Sequence, residues 1–241
     1  MSQHNPFFEI SALPYQAPPF DRINDDDYRP AFDEAIRQKR EEIDAIISQR
    51  LPPDFDNTIL ALEKSGALLS RVSSVFFAMT SAHTNDSLQA LEEAVSTELA
   101  ALSNDIWLND ALFTRVEAVY NQRHDQAPDA ESLRLTEELY QRFILAGARL
   151  DAAGKEELKA LNTESATLTS QFNQRLLAAD KAGGLVLDYR HQLDGLSPAE
   201  VAAAAQAAEE KGLQDRWLIP LLNTTQQPAL QQFRDRQTRE N

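Results

Sequence analysis

The sequence predicts a mainly α-helical protein of long amphipathic helices, with a small two-stranded β element near residues 185–222. Two observations carry this prediction: apolar residues recur at intervals of three and four over most of residues 28–180, and only two short runs near the C-terminal end read as strands. Seven glycines in 241 residues leave few places where the chain can break.

Residues 1–27 are predicted to be an extended arm. Seven of the eleven prolines fall within the first 53 residues, and proline removes a helix donor and clashes with the preceding turn. The arm carries Phe7, Phe8, Ile10, Leu13, Tyr15 and Phe20, too much apolar surface for a free tail, so it is expected to lie packed along the body. Residues 28–180 then form a predicted helical bundle. Between Ile59 and Met79 apolar residues occupy more than one face, as in a central helix surrounded by others. Leu88, Leu91, Val95, Leu99, Leu102 and Ile106 make one stripe, and Leu158, Leu161, Ser165, Leu168, Phe172 and Leu176 make a second, each read as a face turned to the core. Asp86 and Asp129 are the expected N-caps of the helices that follow them.

Residues 181–241 read as a small α+β segment. Leu185-Val186-Leu187 and Trp217-Leu218-Ile219 are the strands, of either relative direction. They bracket a helix opened by the capping box Ser197-Pro198-Ala199-Glu200 and closed at Gly212. From Pro228 to Asn241 a last helix is predicted, anchored by Leu230 and Phe233 and without a stop signal, which reads equally as a truncated helix or as an ordinary frayed terminus.

Composition narrows the function. With 23 basic and 38 acidic residues the net charge is −15, which argues against nucleic acid and anionic membrane surfaces as partners. No cysteine is present, so thiolate zinc sites, disulfides and cysteine nucleophiles are excluded. The N-terminal stretch lacks a basic leader and no apolar run could span a bilayer, so a cytoplasmic location is expected.

No catalytic, cofactor-binding or metal-ligating residue is assigned. A helix-borne zinc site needs two histidines four residues apart with an adjacent glutamate, whereas no two of His4, His83, His124 and His191 are closer than 41 residues. The glycine patterns of a nucleophile elbow and of a phosphate loop are both missing. Asn24-Asp25-Asp26-Asp27 lacks the glycine and distal glutamate of a calcium loop and reads as negative charge before a helix. The glycosylation patterns at Asn85-Asp86-Ser87 and Asn223-Thr224-Thr225 carry no weight without a secretory signal.

The order of several segments is more specific. Asn5-Pro6-Phe7 to Leu13-Pro14-Tyr15, Tyr28-Arg29-Pro30-Ala31-Phe32, Asp56-Asn57-Thr58-Ile59-Leu60-Ala61-Leu62-Glu63, Phe76-Phe77-Ala78-Met79-Thr80, Leu168 to Asn173, Trp217 to Pro228 and Asp235 to Glu240 together resemble the front end of the thimet-type zinc oligopeptidases. The resemblance spans essentially the whole chain. It implies one lobe of long helices forming part of the wall of a narrow substrate channel, in a zinc metallopeptidase acting on oligopeptides. The members it resembles most release dipeptides from C-termini. Family members hold zinc with a His-Glu-x-x-His helix and a later Glu; that motif is absent here, so no ligand is carried over, and the implied partner is a missing C-terminal catalytic region. The alternative is a stand-alone helical binding or scaffold protein without activity.

Overall fold

A computed structural model describes residues 5–222 and 226–240. The predicted fold class is what is observed: the molecule is mostly helical, with one two-stranded antiparallel sheet. The chain divides after Gln171 into two compact units.

The first unit is built on α1 (Asp25–Ile47), the short α2 (Ala61–Lys64), α3 (Ala67–Ala82), α4 (Asp86–Trp107), α5 (Asp110–Asn121), the short α6 (Arg123–Gln126), α7 (Ala130–Leu145) and the first part of α8 (Ala152–Ala182). Its core has two clusters. In one, Phe7, Tyr28, Phe32 and Phe76 form a chain of ring contacts with centroids 5.1–5.4 Å apart, sealed by Val72, Val75, Leu88 and Val95. In the other, Ile36, Ile43 and Ile46 meet Ile59, Leu102, Ile106, Val116, Leu139 and Phe143. Between α5 and α7, Tyr120 and Tyr140 stack with ring planes 8° apart and centroids 3.7 Å apart. Arg123 covers the first ring at 4.1 Å and Arg149 approaches the second at 5.8 Å.

The stripe on α4 faces the core as expected, with Leu88, Val95, Leu102 and Ile106 buried. Its cap differs. Asn85, not Asp86, receives the Leu88 N–H at 2.9 Å, because the cap side chain must sit one residue before the first helical turn. Asp129 does cap α7, accepting from Ser132 N–H at 2.7 Å, and this bond holds its carboxyl below the usual range.

Four other expectations are corrected. Ile59–Met79 is not one helix: Gly66, at φ +81°, breaks it between α2 and α3, and its N–H donates to Glu42 Oε2 at 2.6 Å. The second stripe does not face a core, since Leu161, Leu168, Phe172 and Leu176 on α8 are all at least half exposed, while Lys155 and Ser170 are the buried residues of that helix. Periodicity identifies residues that share a face and is silent on what covers it. Of Phe7, Phe8, Ile10, Leu13, Tyr15 and Phe20 in the N-terminal arm only Phe7 is buried, beside Asn5 and Pro6; the other five are exposed, and short turns at Pro6–Phe8 and Pro14–Gln16 interrupt the extended path. Arg71 anchors the arm by donating to the carbonyls of Phe7 and Glu9.

The second unit joins the end of α8 to β1 (Leu185–Leu187), α9 (Pro198–Glu210), β2 (Trp217–Ile219), α10 (Gln226–Gln232) and α11 (Arg236–Glu240). The strands pair antiparallel in the register Leu185 to Ile219 and Leu187 to Trp217. Leu187, Leu193, Ala204, Ile219, Ala229 and Phe233 form the core. The capping box is made as read, with Ser197 N–H on Glu200 and Glu200 N–H on Ser197 Oγ, and Gly212 closes the helix end at φ +71°. The fourth correction lies here. The single last helix is two pieces, because the Asp235 side chain accepts from Thr238 N–H and hydroxyl and so caps a new start after Phe233.

The cap assignment is testable by urea unfolding: Asn85→Ala is expected to cost about 1 kcal/mol and Asp86→Ala less than half of that.

Candidate functional site

The histidines are not brought together. His83 is the exposed C-cap of α3, His124 is exposed on α6, and His191 is exposed in a turn where its ring stacks on Tyr189 at 5.7 Å; His4 lies outside the described residues. Among the described residues no group of three His, Cys, Asp or Glu side chains is placed to hold a metal ion. The acidic run forms the first turn of α1, not the segment before it, and has structural duties: Asp27 accepts from Asn24 N–H at 2.8 Å and Asp25 accepts from Asn85 Nδ2 at 2.7 Å. Asn85 is thus engaged on both sides of its amide, and the Asn223-Thr224-Thr225 pattern lies outside the described residues. No described helix is long and apolar enough to cross a membrane.

Beside the buried Lys155 of α8, which pairs with Asp110, two further arrangements in the first unit involve charge away from open solvent. The first is Arg115 on α5, 8% exposed. Its guanidinium donates to the carbonyls of Gln49 and Leu51 at 3.2 and 3.4 Å, to Asn57 Oδ1 at 2.9 Å and to Thr58 Oγ1 at 3.3 Å. Asn57 is itself held in a capping box with Asp54 at the start of the π-helical turn Phe55–Leu60. Among the described residues Arg115 has no acidic partner and its Nε no acceptor; it ties the 49–58 connection to the helices. This is a structural clamp.

The second is an open pocket of about 400 Å³ bordered by α1, α2, α3, α4 and α7. Leu99, Leu102, Ile106 and Leu139 supply apolar wall, and Trp107 closes one side with Arg142 lying over its ring at 4.2 Å. Lys39 is half-buried there and donates to the Ser65 carbonyl at 3.1 Å and the Ser65 hydroxyl at 2.5 Å. Gly66 is needed beside it: a Cβ at that position would meet Lys39 Cδ at 2.9 Å. Burial pushes the Lys39 ammonium below its usual pKa and Arg142 adds to this, against the opposite pull of Glu42 and Glu63. The cavity thus gathers charges of both signs beside apolar wall. Sequence reasoning missed it because its residues come from five helices and no local spacing joins them.

No family model matches the chain. It is 69% identical over 237 residues to a dipeptidyl carboxypeptidase of Salmonella typhimurium, a match covering 98% of this chain and 35% of that protein. It is 63% identical over 240 residues to a dipeptidyl carboxypeptidase of Escherichia coli, covering 100% of this chain and 35% of the relative. A more distant relative, named probable cytosolic oligopeptidase A, from Arabidopsis thaliana, is 24% identical over 237 residues, with 94% of this chain and 33% of that protein covered. The chain spans about a third of the length of the curated relatives it matches.

Replacing Arg115 by Met is expected to remove the donor of the Gln49 and Leu51 carbonyls and to untie the 49–58 connection, lowering stability by about 3 kcal/mol in urea unfolding.

Proposed function

We propose that this chain is the non-catalytic N-terminal region of a longer zinc peptidyl-dipeptidase of the dipeptidyl carboxypeptidase family, which releases C-terminal dipeptides from oligopeptides. The observation that carries this reading is 69% identity sustained over 98% of the chain while covering only 35% of the relative. In this reading the zinc ligands lie in the remaining two thirds, in keeping with the dispersed histidines of the chain. The cytoplasm is the proposed compartment, supported by the word cytosolic in the name of the Arabidopsis relative.

The part assigned to these helices is mechanical. They form a share of the substrate-channel wall, and a wall of close-packed helices admits an extended peptide while excluding folded chains by size. Removing water around the bound peptide strengthens every electrostatic interaction made at the metal elsewhere in the enzyme. Such a role calls for rigidity and not for reactive groups, which suits the two well-packed clusters of the first unit. The exposed Leu161 and Leu168 on α8 also support the reading, since evenly spaced apolar residues left bare on one helix are the kind of surface that another part of a larger protein covers.

The test is hydrolysis of a blocked tripeptide by this chain with added zinc. No turnover is expected from the chain alone, and turnover is expected when it is mixed with the complementary C-terminal two thirds of the Salmonella relative. Chelator-sensitive activity of the 241-residue chain by itself would refute the assignment. In the same assay, Leu168→Glu is expected to leave the unfolding midpoint of the isolated chain within about 0.5 kcal/mol of the parent, as for other exposed sites, while abolishing the restored activity.

A further inference from the structure

The cavity of the first unit has features that its packing role does not require. Its volume, about 400 Å³, falls within the range of small-molecule sites, and it pairs apolar wall with a few convergent polar groups. Lys39 and Arg142, two cations that repel one another, both line it, and Arg142 takes the Trp107 ring as its partner, with no ion pair among the described residues. Glu63, also on the lining and exposed, has no ion pair among the described residues. The combination of two cations, one carboxylate and apolar wall is the complement of a small zwitterion with an apolar body.

We propose that this cavity binds an apolar α-amino acid or a dipeptide of such residues, its carboxylate on Lys39 and Arg142, its ammonium on Glu63 and its side chain against Leu99, Leu102 and Trp107. The assignment stands on the cavity alone and is independent of the peptidase reading. Binding relieves the repulsion between the two cations, and the guanidinium, already oriented by the ring beneath it, meets the carboxylate with little loss of side-chain freedom. The hydroxyls of Ser70, Ser73 and Ser103, which also line the cavity, are further donors for the carboxylate or the peptide carbonyl.

The chain has two tryptophans, and only Trp107 lines the cavity, so the indole N–H resonances form a paired reporter with Trp217 as internal control. L-leucine and L-leucyl-L-leucine are titrated separately into the full chain. At least one is expected to move the Trp107 resonance along a single-site saturation curve while Trp217 stays still, and the tighter of the two identifies the free amino acid or the dipeptide as the ligand. Leucinamide, lacking the carboxylate, is expected to bind at least tenfold more weakly. Arg142→Gln is expected to weaken the tighter ligand at least tenfold. Arg134→Gln on the same helix, whose side chain pairs with Glu138, is expected to change nothing. Glu63→Gln is expected to weaken leucine or dileucine but to leave N-acetyl-leucine unchanged. Absence of saturable movement with both ligands, equal affinity for leucinamide, or undiminished binding by the folded Arg142→Gln variant would each overturn the proposal.

Discussion

The buried face of α1 is the constraint on which the first unit depends. Tyr28, Ala31 and Phe32 at its start belong to one hydrophobic cluster, and Ile36, Ile43 and Ile46 further along belong to the other. This rod, together with α4, whose Leu88 and Val95 join one cluster and Leu102 and Ile106 the other, fixes the spacing of the two cores. Ala31 and Ala35, both fully buried, keep the helix thin where it meets its neighbours, so that Phe76 of α3 can reach Phe32 edge-on at 5.2 Å. The cavity is a by-product of the same rod: Lys39 projects into the space left where α3, α4 and α7 diverge around it.

A second regularity concerns the cations. The chain has 23 of them, and several of those that touch the interior bind backbone carbonyls where a helix or arm ends. Arg71 takes the carbonyls of Phe7 and Glu9, Arg115 those of Gln49 and Leu51, Lys39 that of Ser65, and, in the second unit, Arg239 those of Phe233 and Arg234. Carbonyls freed at chain breaks must find donors, and a guanidinium with five N–H groups can serve two at once. Connections that would otherwise fray are tied down in this way without using any of the surplus acid.

Much of this was legible in the sequence wherever the signal is local. The stripe from Leu88 to Ile106, the Ser197–Glu200 box and the two strands are each written in neighbouring residues and appear as read. The stripe from Leu161 to Leu176 is equally regular and yet lies exposed, because regular spacing reports on a helix and not on its neighbours. Gly66 was overlooked as a break since one glycine in an apolar run is tolerated in many helices; here the Glu42 carboxylate, distant in sequence, receives its N–H. Strand direction, the carbonyl clamps and the Lys39, Glu63 and Arg142 grouping all arise from residues far apart along the chain, where no pattern in one segment can announce them.

The near-parallel tyrosine pair has an optical corollary. Two phenol rings 3.7 Å apart, one from α5 and one from α7, have transition moments close enough to couple, so their absorption is shared between them. Circular dichroism near 280 nm should then carry a contribution that depends on the juxtaposition of these two helices. The molecule thereby holds an intrinsic gauge of whether that helix pair is seated, readable without any label and separable from the helical content seen in the far ultraviolet.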